Sequence, residues 1–174
     1  MKTRTSLSVR WMIRRDLPEV LAIDSLSHQA AWGEDEMLLR LRRRDCIGMI
    51  VEVGGFVAGF TVYTLHKDML RVVRMAVDPA KRNRGVGLAM VEKLIEKLSL
   101  QRRATIIIEV DESNLTALCW LKRRGFAADG ISRSEVGDDK IEMLFRLPKP
   151  AEQEPSSRFW AYNPITEEFV GGIE

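Results

Sequence analysis

The residues with the clearest capacity for chemistry lie in a basic loop between an apolar strand, which ends at Val77, and a helix. The loop contains the run Arg82-Asn83-Arg84-Gly85-Val86-Gly87, preceded by Lys81. The first turn of a helix carries backbone N–H groups without partners, and these donors bind anions with help from the helix dipole. Glycine lets a bulky pyrophosphate come close to the backbone. The loop therefore predicts a phosphate or pyrophosphate site, unless Gly85 and Gly87 only form a tight turn.

Two familiar nucleotide-binding loops do not fit this run. The Rossmann fingerprint requires a third glycine at a fixed offset, and the phosphate loop of NTPases requires Gly-Lys followed by Ser or Thr. Neither pattern is present in the basic loop. The combination of basic cluster, strand end and helix start therefore favours another kind of phosphate site.

A single carboxylate stands inside the most apolar predicted strand, in the run Ile106-Ile107-Ile108-Glu109-Val110. Burial among such neighbours disfavours the charged form, so we expect a raised pKa for Glu109. A carboxylate with a raised pKa suits a general base at neutral pH. The alternative is a glutamate at the strand end that faces solvent and pairs with a basic side chain. The residues alone leave both interpretations open.

Periodicity and turn residues predict the elements that must position these groups. Alternating or continuous apolar runs indicate strands, apolar stripes at helical spacing indicate helices, and Gly54-Gly55 indicates a hairpin. Asp16 is expected to cap the first helix, and Ser113 or Asn114 the last one. The order βααβββαβαββ predicts an α/β fold with a central mixed sheet and helices on both faces. The predicted elements are the strand Ser8–Arg14, the helix Leu17–Leu26, the helix Glu34–Arg44, the strands Cys46–Val53, Phe56–Leu65 and Met69–Val77, the helix Gly85–Leu98, the strand Thr105–Val110, the helix Leu115–Arg124, and the strands Phe126–Arg133 and Lys140–Leu147.

Length and composition restrict the class of protein. The 174 residues suffice for one domain with a core and are too few for two. A net charge of +2 gives no reason to expect nucleic acid as a partner. No apolar run reaches the roughly 20 residues that span a bilayer, and no signal peptide is recognisable. We therefore expect no membrane partner and a cytoplasmic location.

Neither the cysteines nor the histidines suggest a metal site. Cys46 and Cys119 match no metal or redox spacing, and both are expected to be reduced, buried thiols. His28 and His66 lack a third partner that would complete a triad or a metal site. We expect no metal.

The basic loop and the segments after it resemble the central motif of the GCN5-related N-acetyltransferase (GNAT) superfamily, a strand followed by Arg/Gln-x-x-Gly-x-Gly/Ala. The stretch Ile108–Asn114 and the segment Leu118–Phe126, which ends in Arg-Gly-Phe, are similar to the rest of that motif. The motif-level similarity spans Val72–Phe126, and the element order fits from Ser8 to Leu147. Within the superfamily the sequence is most similar to the ribosomal-protein alanine N-acetyltransferase branch, the RimI-like proteins.

This resemblance implies that a substrate amine attacks the thioester of acetyl-CoA directly, within a ternary complex. It implies that Glu109 is the general base, often through a water molecule. The loop would donate backbone N–H groups to the pyrophosphate, the preceding strand would hold the pantetheine arm and the thioester carbonyl, and Asn114 would contact the coenzyme, cap its helix, or both. By this resemblance the residues that bind acetyl-CoA are Met75, Ala76, Val77, Arg82, Asn83, Arg84, Gly85, Val86, Gly87 and Asn114.

One position departs from the RimI-like pattern. That branch usually has a tyrosine, the general acid for the leaving thiolate, twelve residues after the glutamate, and this chain has Leu121 there. Loss of a general acid typically lowers the rate by about 10²–10⁴-fold. A thiol with a pKa of about 8.5 still gives a fair leaving group. Candidate replacements are Cys119, Tyr63, Tyr162 and water.

Three functions fit these observations. The first is an N-acetyltransferase that acts on a protein or peptide N-terminal α-amine. The second is an acetyltransferase for a small amine such as a polyamine, an amino acid or a drug-like amine. The third is an acetyl-CoA-binding regulatory domain with little turnover. Trp32 lies where substrate-selecting loops occur in the family and is either part of the acceptor site or a hydrophobic plug. We expect a monomer or a homodimer.

The C-terminal segment departs from the pattern of alternating helices and strands. Pro148 and Pro150 end that pattern, so we predict a domain over residues 1–147 and a linker with an aromatic tail over residues 148–174. The aromatic residues Phe159, Trp160, Tyr162 and Phe169 suggest that the tail packs on the domain, joins a second subunit or covers the active site.

Overall fold

The computed structural model describes residues 7–133 and 139–149, together with the backbone of two short strands further along the chain. Helices and strands follow the predicted order, and the α/β fold class is confirmed. The elements are β1 (Leu7–Trp11), α1 (Leu17–Ser27), α2 (Glu34–Leu41), β2 (Cys46–Val53), β3 (Phe56–Leu65), β4 (Met69–Val77), α3 (Val86–Ile95), β5 (Thr105–Asp111), α4 (Leu115–Lys122), β6 (Ala127–Ser132), β7 (Lys140–Arg146), β8 (Ala161–Asn163) and β9 (Glu168–Val170).

Most element bounds agree with the sequence prediction, and β2, β3 and β4 begin and end at the predicted residues. The second helix ends at Leu41 rather than Arg44. The chain turns there because the Arg43 N–H donates to the Arg40 carbonyl at 3.1 Å, and the Arg43 guanidinium pairs with Asp45 at 2.7 Å. The pairing of β8 with β9 was not predicted. The predicted packing of the tail and its aromatic side chains lies outside the described residues.

Seven strands form the main sheet, in the order β1-β2-β3-β4-β5-β7-β6. All neighbours are antiparallel except β4 and β5, which run parallel. The mixed sheet predicted from the element order is therefore confirmed. Helix α3 provides the crossover that a parallel pair requires.

Helices cover both faces of this sheet. On one face, Val91 and Leu94 of α3 and Leu121 of α4 pack with the side chains of β5 that point towards them. On the other face, α1 and α2 pack on β2 and β3. The β5 residues facing α3 and α4 are Ile106, Ile108 and Val110. Since side chains alternate along a strand, Ile107 and Glu109 point to the face covered by α1 and α2.

The parallel strands β4 and β5 separate before they end. Their backbone pairing runs from Met69↔Thr105 to Val72↔Ile108. Beyond Val72 and Ile108, the described residues of β4 and β5 do not pair with each other. Strand β4 nevertheless continues to Val77 and β5 to Asp111. The β3–β4 register shifts between Val62 and Tyr63, which leaves an extra β4 residue, Val73, next to the last paired position. Such a bulge bends a strand, so it accounts for the opening.

Helix α3 begins directly over the sheet at the open end of β4. A Cβ atom on Gly59 of β3 would lie 2.8 Å from Val86 Cγ1 and 2.9 Å from the Ala76 carbonyl oxygen. The absence of a side chain at Gly59 therefore lets the first turn of α3 sit against β3 and β4. This contact sets the position of the basic loop relative to the opening between β4 and β5.

The two cysteines differ in their surroundings. Cys46 is buried, and burial raises the pKa of its thiol. Cys119 is exposed, so the expectation of a buried thiol at this position was wrong. The reason is the geometry of α4. Leu121 faces the core, whereas Cys119 lies one helical turn after the exposed Leu115 and shares its solvent side.

Candidate active site

The basic loop ends in the backbone conformation that an anion site requires. Gly85 is left-handed, with φ of +82°, and Asn83 also has a positive φ of 60°. The first bond of α3 runs from the Ala89 N–H to the Gly85 carbonyl at 2.9 Å. The N–H groups of the three preceding residues, Val86 to Leu88, therefore have no acceptor within the helix. These donors lie at the positive end of the α3 dipole.

The loop side chains divide into two groups. Lys81 turns back to the sheet, where its Nζ donates to the Val57 carbonyl at 3.1 Å and lies 3.7 Å from Asp78. Lys81 is therefore held by contacts within the protein. Arg82 and Arg84 are exposed beside Gly85. Arg82 Nε donates to the Val77 carbonyl at 3.4 Å, and both arginines lie at the surface at the start of α3.

Helix α4 borders the same loop. A Cβ placed on Gly87 would lie 3.5 Å from Trp120 Cζ2, so the indole packs against the first turn of α3. The Arg124 guanidinium lies 5.4 Å from the centre of the Trp120 ring. At the other end of α4, Asn114 Oδ1 accepts the Ala117 N–H at 3.1 Å and caps the helix. The capping role of Asn114 is thus confirmed, and its contact with a coenzyme stays a prediction.

Met75, Ala76 and Val77 form the part of β4 that lies past the opening. On one side they pair with β3, through Thr61, Phe60 and Gly59. On the side towards β5 the ladder has already ended, so their backbone groups there have no strand partner. Unpaired backbone groups at a strand edge are able to bind an extended ligand.

Glu109 is the first residue of β5 beyond the last position that pairs with β4. Its carboxylate is 31% exposed, and Arg71 Nη1 donates to its Oε1 at 2.6 Å. We expected Glu109 to lie among the isoleucines, and this expectation was wrong. Its apolar chain neighbours Ile108 and Val110 point to the opposite face of the sheet. The structure supplies the ion-pair partner that the alternative interpretation required. The role of Glu109 as a base stays a prediction.

A second carboxylate completes this group. Glu142 of β7 lies directly opposite Glu109 in the β5–β7 register, and the same Arg71 Nη1 donates to its Oε1 at 3.1 Å. Sequence reasoning missed both Arg71 and Glu142. The available signal was a charged residue inside an otherwise apolar strand, since such a residue requires a partner when the strand is central.

A buried ion pair fixes the segment between α1 and α2. Asp24 is fully buried, and Arg74 donates to its two oxygens at 2.7 and 2.8 Å. Arg74 also donates to the Ala30 carbonyl at 2.6 Å, and the Trp32 N–H donates to Asp24 at 2.8 Å. The guanidinium groups of Arg40 and Arg74 lie 4.2 and 4.9 Å from the centre of the Trp32 ring. Trp32 is thus held in place beside the opening end of β4.

The ionisation of this segment follows from its contacts. Burial alone raises the pKa of Asp24, but the bonds from Arg74 and from the Trp32 N–H outweigh it, and the net pKa is lowered. His28 Nδ1 lies 2.9 Å from Asp24 Oδ1. Burial, followed by the charge of Arg74, lowers the pKa of His28 against the opposing effect of Asp24.

The candidate replacements for a general acid have different positions. Leu121 is 3% exposed and belongs to the core beneath α4. Tyr63 is fully buried in the same core, where burial raises its pKa to about 12. It cannot reach a substrate, so that suggestion was wrong. Cys119 is exposed, and the side chain of Tyr162 lies outside the described residues.

Two negative findings concern the described residues only. Within residues 7–133 and 139–149, no three His, Cys, Asp or Glu side chains come together as a metal site would require. No described helix is both long and apolar enough to cross a membrane.

The opened parallel strands beside a helix start form an arrangement that can hold an extended, anionic ligand. The family model for the acetyltransferase (GNAT) family matches residues 9–126, and the chain belongs to this family. The predicted enzyme class and superfamily are thereby confirmed. Acetyl-CoA is the acetyl donor used by this family.

Individual relatives agree with this assignment. The [ribosomal protein bS18]-alanine N-acetyltransferase of Escherichia coli (strain K12) is 29% identical over 119 residues, which cover 68% of this chain and 80% of the relative. The protein of the same description in Salmonella typhimurium (strain LT2) is 27% identical over 119 residues, which again cover 68% of this chain and 80% of the relative. The predicted similarity to the RimI-like branch is therefore confirmed.

Two solved structures share the fold. The ribosomal-protein-S18-alanine N-acetyltransferase from Escherichia coli superposes with a TM-score of 0.74 at 24% identity, over 85% of this chain and 98% of that one. Ard1 from Thermoplasma volcanium gives a TM-score of 0.74 at 22% identity, over 82% and 99%.

Proposed function

We propose that this enzyme transfers the acetyl group of acetyl-CoA to the α-amine of a protein or peptide N-terminus, with Glu109 as general base. The observation that carries the proposal is the position of Glu109, a half-exposed carboxylate at the point where β4 and β5 separate. The relatives named for acetylation of an N-terminal alanine support the choice of acceptor.

The open end of β4 and the start of α3 fit acetyl-CoA. The free N–H groups of Val86 and Gly87, with Arg82, Asn83 and Arg84 around them, suit a pyrophosphate. The edge of Met75–Val77 towards β5, which has no strand partner, suits the extended pantetheine arm, whose amide groups need backbone partners. Asn114, at the start of α4, is the remaining proposed contact. Acetyl-CoA supplies the activated thioester when it is bound.

The chemistry required of Glu109 is removal of a proton. An amine attacks only when it is neutral, and an α-amine has a pKa of about 7.7–8.0, against about 10.4 for lysine. Glu109 takes a proton from the acceptor ammonium, directly or through water, and the neutral nitrogen then forms the amide bond as the carbon–sulfur bond breaks. The thiolate takes up one proton. The balance is one ammonium and one thioester giving one amide, one thiol and one released proton.

Leu121 and Tyr63 cannot take the place of the branch tyrosine, because both are buried in the core, whereas Cys119 is exposed. We propose that the thiolate leaves without a side-chain acid and is protonated from solvent. A thiol pKa of about 8.5 makes this feasible at neutral pH. The predicted consequence is a lower rate than in enzymes that retain a general acid.

A second candidate acceptor is a small cationic amine. The observation that favours it is the local charge, since Glu109 and Glu142 face one guanidinium, that of Arg71. A surplus negative charge attracts polyamines as well as N-termini.

The test is thiol release from acetyl-CoA with a panel of peptides carrying free N-termini, including alanine, and a panel of small amines. Wild type is compared with Glu109→Gln and with Glu112→Gln, the same substitution at an exposed position just past β5. We expect turnover of peptides, strongly reduced by Glu109→Gln and unchanged by Glu112→Gln. Turnover of small amines alone would overturn the acceptor assignment, and an unchanged rate in Glu109→Gln would overturn the assigned base.

A further inference from the structure

The Arg71 guanidinium joins the two strands at the point where they separate. We propose that Arg71 is the positioning residue of acetyl transfer, which holds the Glu109 carboxylate in its working orientation and is itself held by Glu142. This inference rests on the proposed function, because it assigns to Arg71 an effect exerted through Glu109. Arg71 lies on β4, whereas the proposed base lies on β5.

The register places Arg71 where this role requires. Arg71 pairs with Ile107, one position before the last pair of the β4–β5 ladder, and Glu109 is the first residue after that pair. The side chain of Arg71 therefore extends along the sheet face towards the opening. Its contact with Glu109 links β4 to β5 just past the end of their backbone pairing.

The bond to Glu109 is specific to one oxygen. Arg71 Nη1 donates to Oε1 at 2.6 Å, a length typical of a strong charge-assisted hydrogen bond. Within the described part of the chain, no donor contacts Oε2 of Glu109. The arrangement therefore fixes the carboxylate by Oε1 and leaves Oε2 as the atom that accepts the proton from the acceptor or from water.

Glu142 explains why an arginine is needed. Glu109 and Glu142 are directly opposed on neighbouring antiparallel strands, where like charges repel. Without a cation between them, each carboxylate would turn away from the other. A single nitrogen, Arg71 Nη1, contacts Oε1 of both and holds them together at 2.6 and 3.1 Å.

The edge strand leaves room for this arrangement. A Cβ atom on Gly130 of β6 would lie 3.3 Å from Glu142 Oε2, closer than side chains usually approach. Gly130 lies at the register shift between β6 and β7. The missing side chain thus lets the Glu142 carboxylate stay on the face it shares with Glu109 and Arg71.

A comparison with Arg74 separates positioning from structural support. Arg74 is 13% exposed and binds the fully buried Asp24 through two nitrogens, as a structural ion pair does. Arg71 is 29% exposed, and its partners are 31% and 26% exposed. Pairs this accessible contribute little to stability. Removal of Arg71 should therefore affect the reaction more than the fold.

The test is a double-mutant cycle on kcat, measured with the amine that wild type turns over best. We expect Arg71→Met to lower kcat by about tenfold to a hundredfold, as expected for a misplaced catalytic group, with KM for acetyl-CoA unchanged. Arg71→Lys should recover part of the loss. In the Glu109→Gln background, Arg71→Met should have no further effect, because residues that act as a unit are not additive.

Arg43→Met is the control, since it removes another guanidinium–carboxylate pair, the exposed one with Asp45, away from β4. It should leave kcat and the melting temperature unchanged. Wild-type kcat in Arg71→Met, or an equal loss from Arg71→Met with and without Glu109, would overturn the role of Arg71. An unchanged rate in Glu109→Gln would instead overturn the proposed base, so the two failures are distinguishable.

Discussion

Arg74 binds Asp24 through two parallel hydrogen bonds, Nε to Oδ1 at 2.7 Å and Nη2 to Oδ2 at 2.8 Å, and so ties β4 to α1. Asp24 is fully buried. The pair also holds the chain between α1 and α2, through Ala30 and Trp32, next to the open end of β4. This ion pair therefore joins the proposed coenzyme strand to the segment between α1 and α2.

The first prediction concerns this pair. Asp24→Asn should lower the free energy of unfolding by about 3–5 kcal/mol at pH 7, because it leaves the Arg74 charge buried without a counter-charge. Urea denaturation of both proteins measures the difference. Asp45→Asn, which breaks the exposed pair with Arg43, is the matched control and should change the stability little.

The pH dependence of the same pair has a defined sign. The pKa of Asp24 is lower in the folded protein than its ordinary value of 3.8. A lowered carboxyl pKa stabilises the fold above the unfolded pKa, and this stability is lost as the pH falls through the folded value. The difference in the free energy of unfolding between wild type and Asp24→Asn should shrink as the pH falls below 3.8. Between pH 7 and 5 it should instead rise, because Asp24 opposes the lowering of the pKa of His28 and the variant lacks that effect. A difference that does not shrink below pH 3.8 would contradict the ion-pair account.

The second prediction concerns the packing of α3 against β3 at Gly59. Gly59→Ala places a Cβ 2.8 Å from Val86 Cγ1 and 2.9 Å from the Ala76 carbonyl. Overpacking of this kind typically costs about 1–3 kcal/mol and shifts the neighbouring backbone. We expect weaker binding of acetyl-CoA, measured by calorimetry. Gly33→Ala, where a Cβ would meet nothing within 4 Å, should leave that affinity unchanged.

The third prediction concerns the left-handed residue at the start of α3. Gly85→Ala should strain the backbone by about 1–2 kcal/mol, because φ there is +82°. It should weaken acetyl-CoA binding and lower the melting temperature together. Gly55→Ala imposes similar strain in the β2–β3 turn, where φ is +85°, and should lower the melting temperature only. Equal loss of affinity in both variants would argue against an anion site at this helix start.

The fourth prediction separates two roles of Asn114. Asn114→Ala removes the helix cap, which is worth about 1 kcal/mol, whereas Asn114→Asp keeps an acceptor for the Ala117 N–H. If Asn114 also donates to the coenzyme, both variants should bind acetyl-CoA more weakly and only the alanine variant should lose stability. Full affinity in Asn114→Asp would restrict Asn114 to capping.

Local patterns were sufficient to predict the strands around the hairpin at Gly54-Gly55 and the strand before Asp78-Pro79. They also located the basic loop, because its glycines and arginines are neighbours in the chain. The opening between β4 and β5 was not predictable, since it depends on a register shift at Val62 and Tyr63 that leaves no trace in the period of apolar residues.

The surroundings of Glu109 show the other limit of sequence reasoning. Its chain neighbours are apolar, but its spatial neighbours are Arg71 and Glu142, which lie 38 and 33 positions away along the chain. Because side chains alternate along the strand, Ile108 and Val110 point to the opposite face of the sheet. The sequence neighbours of Glu109 therefore do not describe the surroundings of its carboxylate. Only the strand order, with β5 between β4 and β7, brings the three charges together.

The most direct test of the central claim is kcat for acetylation of a peptide with a free N-terminal alanine, for wild type and Glu109→Gln, at saturating acetyl-CoA. We predict a loss of about 10²–10⁴-fold in the variant, with unchanged affinity for acetyl-CoA, because only proton removal is lost. A kcat in Glu109→Gln within about twofold of wild type would contradict the assignment of Glu109 as the general base.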